Sequence, residues 1–165
     1  MLWHNFINKV ESLKIKKEME KGIIVHTIIA KRGEILILKR SKNNFFLSEE
    51  WDSPGGTLKD GESPIDGAIR ETKEETGLDI NNLVLFSVHS IVDEDKDKQF
   101  ITLIFLAECT GNPKKIILNK REHDDFRWIN LNQVKNFKTV FWLNECLTYI
   151  KEKNHPMIKI IGKKH

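Results

Sequence analysis

Residues 56–78 read GTLKDGESPIDGAIRETKEETGL and contain the clearest helix signal in the chain. Ser63 is a residue type that caps helix N-termini, and Pro64 suits the first helical position because it has no amide hydrogen to leave unpaired. Gly77 is typical of the residue that follows the last helical turn. The segment therefore predicts a helix from residue 64 to residue 76, preceded by a glycine-containing loop.

The predicted helix has an apolar face and, next to it, an acidic face. At about 100° per residue, the stripe expected to be buried consists of Ile65, Ala68, Ile69, Thr72 and Thr76. Glu71, Glu74 and Glu75 are i, i+3 and i+4 neighbours, and each like-charged pair costs a helix roughly 0.2–0.5 kcal/mol. Crowded carboxylates are ligands that Mg²⁺ or Mn²⁺ prefers, although the same spacing also occurs on solvated acidic helix faces.

The whole segment resembles the signature of the Nudix family, G-x5-E-x7-R-E-U-x-E-E-x-G-U, in which U is usually aliphatic. The matching residues are Gly56, Glu62, Arg70, Glu71, Thr72, Glu74, Glu75, Gly77 and Leu78. Thr72 departs from the apolar pattern, but we expect its methyl group to be buried and its hydroxyl to bond a helical carbonyl. The resemblance extends over residues 22–151.

Patterns along the rest of the chain predict an α/β (α+β) fold. We expect strands at residues 23–30, 35–39, 83–92, 100–107 and 126–129, and a last helix at residues 140–151. This order gives a mixed β-sheet with helices on its faces, and the resemblance implies a Nudix-type α/β/α sandwich.

We divide the chain into three parts. An N-terminal helical extension occupies residues 1–21, the Nudix hydrolase domain residues 22–151, and a basic C-terminal tail residues 152–165. The extension is predicted from apolar residues at helical spacing, which are Trp3, Phe6, Ile7, Val10 and Leu13.

Composition excludes several classes of protein. The 165 residues suit one domain, and their net charge of +3 is too small to indicate a nucleic-acid partner. No apolar run approaches the ~20 residues that span a bilayer, so no membrane partner is expected. Cys109 and Cys146 lack the spacing of a disulfide framework, so we expect two free, buried thiols and a cytoplasmic location.

The resemblance implies a divalent-metal site and the residues that build it. Glu71, Glu74 and Glu75 would be metal ligands together with the carbonyl of Gly56, where the missing side chain permits a close approach. Glu122, in the later acidic segment 121–125, is our candidate for an additional ligand. Mg²⁺ is the expected ion, with Mn²⁺ as the alternative.

The catalytic roles implied by the resemblance centre on the same helix. Arg70 and Glu62 are expected to form an ion pair that fixes the loop against the helix, and Glu71 or a loop carboxylate is expected to act as general base. His123, next to Glu122, is expected to be inert, as lone loop histidines usually are.

Four residues outside the helix are candidates for substrate binding. Lys39 and Arg40, at the end of the second predicted strand, could contact phosphate, and Phe46 could stack on a base. In the oxidised-purine branch of the family an Asn at the start of the last helix reads the base, and Asn144 stands at about that place. Each residue has an ordinary alternative as a strand-end charge or a surface side chain.

The expected reaction is hydrolysis of a diphosphate bond in a nucleoside diphosphate linked to another group, achieved mainly by positioning and charge neutralisation. We expect a small-molecule nucleotide, best a nucleoside triphosphate, including damaged ones, that gives the monophosphate and pyrophosphate. Residues 90–98 contain neither the proline of ADP-ribose hydrolases nor the tyrosine of dinucleoside polyphosphate hydrolases, which argues against both.

Other functions remain open at this point. The substrate could be a nucleotide sugar, a dinucleoside polyphosphate or an RNA 5′ end, although RNA would favour a basic channel interleaved with aromatic residues. A non-catalytic, ligand-sensing Nudix-like domain would usually have lost some of the carboxylates that this chain keeps. An isomerase of allylic diphosphates would need a cysteine before residue 56, and both cysteines follow it. A homodimer is compatible with the resemblance.

Overall fold

The computed structural model describes residues 19–153, which form a mixed seven-stranded β-sheet with an α-helix on each face. The strands are β1 (Glu20–Lys31), β2 (Glu34–Arg40), β3 (Trp51–Asp52), β4 (Gly55–Thr57), β5 (Ile80–Asp93), β6 (Lys98–Cys109) and β7 (His123–Ile129). The helices are α1 (Pro64–Thr76) and α2 (Phe141–Glu152), and a 3₁₀ turn covers Val134–Asn136. This architecture confirms the predicted mixed sheet with helices on its faces.

The strand order joins the short strands β3 and β4 to β2 and β1, respectively. The main path is β3-β2-β1-β6-β5, with β4 paired to β1 and β7 paired to β2. β1 runs parallel to β6 and antiparallel to β2 and β4. β4, which leads into α1, pairs with β1, and β7 pairs with β2. Because β1 and β2 are neighbours, the segments around α1 and β7 are brought to the same part of the sheet.

The two helices pack on opposite faces of the sheet. Ile104 belongs to the core cluster that contains Leu143 and Leu147 of α2. Phe105 belongs to a different cluster, which contains Ala68 of α1. Successive side chains of a strand point to opposite faces, so these two neighbours in β6 assign one face to each helix.

Helix α1 has the predicted bounds because both of its ends are set by local sequence. The Ser63 Oγ accepts the amide hydrogen of Asp66 at 3.2 Å, which satisfies one of the free donors in the first turn. Gly77 takes a left-handed conformation, with φ of 70°, and its amide donates to the Lys73 carbonyl at 2.9 Å. Glycine adopts this conformation without the steric cost that a side chain would add.

The buried face of α1 differs from the predicted stripe. Ile65 and Ile69 are 50% and 40% exposed, so the prediction of their burial is wrong. The buried residues of the helix are Gly67, Ala68, Thr72, Glu75 and Thr76. A Cβ atom at Gly67 would collide with the side chain of Leu58, so this face of the helix approaches its neighbours too closely for a large residue, and the rotation carries Glu75 into the interior.

Several predicted elements are longer than expected, and others lie outside the described residues. β7 begins at His123 rather than at residue 126, because its pairing with β2 continues to Arg40. The predicted N-terminal helix and most of the basic tail fall outside residues 19–153. Cys109 and Cys146 are free and buried, as predicted. Within the described residues no helix combines the length and apolarity needed to cross a membrane.

The hydroxyl of Thr72 is buried and has no hydrogen-bond partner among the described residues, so its expected bond to a helical carbonyl is absent there. The bond belongs instead to Thr76, whose Oγ1 donates to the Thr72 carbonyl at 2.6 Å and accepts from the Leu78 amide at 3.2 Å. The two buried hydroxyls, one helical turn apart, therefore differ in hydrogen bonding, because that of Thr72 is unpaired among the described residues and that of Thr76 makes two bonds.

We predict that Thr72→Val raises the free energy of unfolding by about 1 kcal/mol, because it replaces a buried, unpaired hydroxyl with a methyl group of similar shape. Thr76→Val is the matched comparison and should lower the free energy by about 1–2 kcal/mol, since it leaves the Leu78 amide without its partner. Urea unfolding followed by circular dichroism measures both. A loss of stability in Thr72→Val would contradict the assignment of its hydroxyl as unpaired.

Candidate active site

The site is built around the backbone of Gly56, which lies against the carboxylate of Glu71. β4 pairs with β1 through the register of Gly56 with Val25, so the position of this backbone is set by the sheet. A Cβ atom at Gly56 would lie 2.6 Å from the Glu71 Oε1, which is too close for any side chain to fit without displacing the carboxylate. Glycine at this position therefore leaves the Glu71 carboxylate where it lies.

Arg70 connects the loop before α1 to the acidic face of the helix. Its Nε and Nη2 both donate to the two carboxylate oxygens of Glu62, each at 2.7 Å. Its Nη1 donates to Glu71 Oε1 at 2.7 Å and to Glu74 Oε2 at 3.2 Å. One guanidinium thus orients three carboxylates, as expected of the planar, bidentate group, and its single positive charge offsets part of theirs.

Glu62 is fixed from two sides by this arrangement. The hydrogen bonds from Arg70 lower the pKa of Glu62 to about 2, and the amide of Lys59, which donates to Glu62 Oε2 at 3.0 Å, adds to the effect. The carboxylate therefore stays ionised over the whole physiological range, and the loop stays attached to the helix. The predicted ion pair of Arg70 with Glu62 is present.

Glu75 is a carboxylate with only 2% of its surface exposed. Burial raises its pKa well above the ordinary value, and the negative charges of Glu122, Glu71 and Asp52 raise it further. Its Oε2 lies 3.4 Å from the amide nitrogen of Gly55 and 2.9 Å from the Nε2 of His123. Among the described residues no lysine or arginine forms an ion pair with Glu75, so its negative charge is only partly offset.

Glu122 and His123 complete this side of the site from the segment before β7. One ligand atom each of Glu75, Glu122 and His123 lie within 4.8 Å of one another. The Glu122 Oε1 accepts from the Asn119 side-chain amide at 2.6 Å, and the carboxylate is exposed. The structure thus brings Glu122 to Glu75 of α1.

His123 is not the isolated loop residue that the sequence suggests. It is the first residue of β7, only 5% exposed, and it contacts Glu75, so the expectation that it lies alone in a loop is wrong. Burial lowers the pKa of His123, which favours the neutral imidazole at pH 7. The contact joins residues 48 positions apart, and no local pattern indicates it.

The four predicted substrate-binding residues differ from one another in their contacts and their exposure. Arg40 donates to the buried Asp52 at 2.9 Å and to the Phe46 carbonyl at 3.2 Å, so it already has structural partners. Lys39 pairs loosely with Glu49 at 3.5 Å. Phe46 is 62% exposed on its loop, and Asn144 is exposed on α2, on the sheet face opposite α1. In residues 19–153 neither side chain bonds the carboxylates of α1.

Sequence reasoning also missed buried residues behind the carboxylates. Asp52 is 1% exposed, pairs with Arg40, and lies 3.6 Å from the Nδ1 of His26. The ring of His26 in turn lies 4.2 Å from that of Trp142, measured between centroids. Asp52 matters to the site because its charge contributes to the raised pKa of Glu75. Only its proximity to Pro54 in the sequence could have drawn attention to it.

Comparisons with known proteins agree with this fold and site. A family model described as the NUDIX domain matches residues 20–149. The chain is 31% identical over 125 residues to an ADP-ribose pyrophosphatase of Methanocaldococcus jannaschii, covering 76% of this chain and 73% of that protein. It is 32% identical over 104 residues to an asymmetrical bis(5′-nucleosyl)-tetraphosphatase of Sus scrofa, covering 61% and 66%.

A solved structure supports the same assignment at the level of the fold. The MutT Nudix hydrolase of Burkholderia pseudomallei superimposes with a TM-score of 0.68 at 21% identity, covering 78% of this chain and 97% of that one. The chain therefore belongs to the Nudix family. Within that family it is a pyrophosphohydrolase, and Nudix hydrolases use divalent metal ions.

We predict that Glu75→Gln stabilises the protein in EDTA at pH 8 by roughly 1–3 kcal/mol, the cost of a poorly compensated polar group in the interior. The folded-state pKa of Glu75 is raised, so the ionised carboxylate costs stability above that pKa. The gain should shrink as the pH falls and disappear below the ordinary value near 4.5.

Glu74→Gln is the control, because the Glu74 side chain is 51% exposed, and its effect should stay within about 0.5 kcal/mol. Thermal unfolding between pH 4 and pH 8 gives both comparisons. Equal stability of Glu75→Gln and the wild type at pH 8 would show that the Glu75 charge is fully compensated by the protein.

Proposed function

We propose that this Nudix enzyme hydrolyses a diphosphate linkage in a small nucleotide with the help of divalent cations held by Glu71, Glu74, Glu75, Glu122 and the Gly56 carbonyl. The observation that carries the proposal is the convergence of carboxylates from α1 and from the segment before β7 on one place beside Gly56. We propose Mg²⁺ as the ion, with Mn²⁺ as its replacement.

Two features of the site support the fit of a divalent cation. The donor set is made of carboxylate oxygens and a backbone carbonyl, which are the hard ligands that Mg²⁺ and Mn²⁺ take. The second feature is the acidic surroundings of Glu75, because the negative charges of Glu122, Glu71 and Asp52 all act on its carboxyl group. The carboxylates of Glu75 and Glu122, whose ligand atoms lie within 4.8 Å of each other, repel one another until a cation joins them.

Bound divalent cations would neutralise the charge of the diphosphate and make water a better nucleophile. The chain's own residues supply the geometry. Arg70 orients Glu71 and Glu74, and Glu62 anchors Arg70 to the loop. These two residues therefore support the ligands and need not touch the substrate.

Glu71 and the loop carboxylate Glu122 are the two candidates for the general base. Glu71 Oε1 already accepts a charged hydrogen bond from Arg70 at 2.7 Å, so this oxygen is already occupied by a protein donor. The Glu122 carboxylate is exposed to water and is bonded by a neutral amide. A water oxygen forms the new bond to phosphorus while its proton goes to Glu71 or Glu122, at a carboxylate oxygen that does not hold a cation. The bond from phosphorus to the bridging oxygen breaks, and that oxygen leaves with the electron pair on the departing phosphate.

Lys39 and Phe46 are the stronger candidates for substrate contact outside the acidic cluster. Lys39 is held only loosely by Glu49, so it is available for a phosphate, and the exposed ring of Phe46 is available for stacking on a base. Arg40 supports this loop through the Phe46 carbonyl rather than binding phosphate directly. Asn144, on α2, is the candidate for recognising the base.

We propose a nucleoside triphosphate as the substrate, cleaved to the monophosphate and pyrophosphate in the cytoplasm. ADP-ribose is the second candidate, because the relative that is 31% identical over most of this chain is named an ADP-ribose pyrophosphatase. The linkage is a diphosphate in both cases, so the site chemistry is shared and only the binding of the remaining groups differs.

We predict metal-dependent release of pyrophosphate from one or more nucleoside triphosphates, oxidised purines included, when the purified protein is incubated with Mg²⁺. ADP-ribose, nucleotide sugars and dinucleoside polyphosphates complete the panel, with coupled detection of phosphate, pyrophosphate and nucleoside monophosphate. Glu74→Gln should lower the rate at least about a hundredfold, since it removes charge that balances the cation. Turnover of ADP-ribose alone would select the second candidate, and no metal-dependent turnover of any compound would refute the proposed function.

We also predict that Gly56→Ala weakens Mn²⁺ binding by at least about tenfold, because the added Cβ displaces the Glu71 carboxylate. Gly111→Ala is the matched control, since the nearest atom to a Cβ there is 4.0 Å away. Titration followed by the electron paramagnetic resonance of free Mn²⁺ measures both affinities. Unchanged binding in Gly56→Ala would place the cation elsewhere.

A further inference from the structure

The last turn of α1 and the segment before β7 are joined through the side chain of His123. Its Nε2 lies 2.9 Å from Glu75 Oε2, and both residues are almost fully buried. The Nδ1 of His123 is buried without a hydrogen-bond partner among the described residues. In the Nε2–H tautomer His123 is a donor to Glu75, whose carboxylate oxygens are acceptors.

Asn119 makes a second connection between the same two segments. Its amide nitrogen donates to the Glu75 carbonyl at 2.9 Å, and its own carbonyl accepts from the amides of Glu122 and His123 at 3.1 and 3.0 Å. Its side-chain amide donates to Glu122 Oε1 at 2.6 Å. One asparagine therefore fixes the backbone of this turn to α1 and also sets the direction of the Glu122 carboxylate.

On its other side, the same turn forms hydrogen bonds with the residues that follow β2. The Ser41 amide donates to the Glu122 carbonyl at 2.8 Å, and the Lys42 amide donates to Asp124 Oδ2 at 2.9 Å. The register of β2 with β7 is interrupted here, since Lys39 pairs with Asp125 and Arg40 with His123. Such a bulge changes the direction of the side chains next to it, and here it accompanies the inward direction of His123.

We propose that His123 and Asn119 are positioning residues that hold Glu75 and Glu122 as a pair, ready to share one divalent cation. The inference rests on the proposed function, in which both carboxylates are metal ligands. Two carboxylates at this distance repel each other, and each would turn away if nothing held it. A hydrogen-bond donor behind each one keeps its free oxygens directed to the site, so little reorganisation is needed when the cation binds.

The experiment measures the affinity of the full chain for Mn²⁺ by electron paramagnetic resonance in wild type and four variants. His123→Leu removes the donor and should weaken binding by about 10–100-fold, the usual effect of losing a group behind a metal ligand. His123→Gln keeps an amide donor at the position of Nε2 and should stay within about threefold of wild type. Asn119→Ala keeps the backbone bonds and should weaken binding by at least about threefold.

His89→Leu is the matched control, because His89 is a partly buried histidine of β5 that pairs with Glu145 at 3.8 Å. Its Mn²⁺ affinity should equal that of wild type. Thermal unfolding in EDTA checks that each variant folds. If His123→Leu does not fold, the comparison of Asn119→Ala with His123→Gln decides the matter, since only the former should lose affinity.

Three results would overturn the inference. The first is wild-type affinity in His123→Leu or, where that variant does not fold, in Asn119→Ala. The second is a loss of affinity in His123→Gln as large as that in His123→Leu. The third is nitrogen-14 modulation in pulsed resonance spectra of the wild-type Mn²⁺ complex that disappears in His123→Gln, which would make His123 a direct ligand. Normal Mn²⁺ binding without turnover of any nucleotide would refute the proposed function and leave the positioning roles intact.

Discussion

Negative charge is concentrated beside the backbone of Gly56, and the rest of the structure is arranged around that charge. On one side, a single guanidinium from Arg70 binds Glu62, Glu71 and Glu74, so the acidic helix face is compatible with a stable helix. On the other side, Glu75 is placed in the interior with only partial compensation. The two halves differ in kind, because an arginine binds the carboxylates of one half, whereas among the described residues no lysine or arginine forms an ion pair with Glu75.

This asymmetry explains why so many connections converge on the turn before β7. A buried carboxylate that is not neutralised needs neighbours that fix its direction without cancelling its charge. A neutral imidazole and a neutral amide meet that requirement, whereas a lysine or arginine would compete with a cation for the same oxygens. His123 and Asn119 are groups of this kind, and both are held by backbone bonds to Glu75 or to β2.

Local sequence is sufficient to predict the elements whose causes are local. The ends of α1 follow from Ser63 and Gly77, and the carboxylates of its acidic face follow from helical spacing. The rotation of α1 could not be predicted, because it depends on the contact of Gly67 with Leu58 across the loop. The role of His123 depends on a bulge and on pairing with a distant strand. Asn119 has no sequence signal at all, since its proposed role lies in one backbone bond to Glu75 of α1 and in bonds to Glu122 and His123 within its own turn.

Glu74 and Glu75 lie in the last turn of a 13-residue helix. The aligned peptide dipoles give that end of a helix a partial negative charge, so acidic residues are unfavourable there and cations are favourable. In the proposed site the backbone of α1 therefore attracts the ion as well as the side chains do. An ion that binds only the folded chain stabilises it by an amount that grows with its free concentration. The persistence of this protein in its folded form would thus follow the divalent-cation supply of its surroundings.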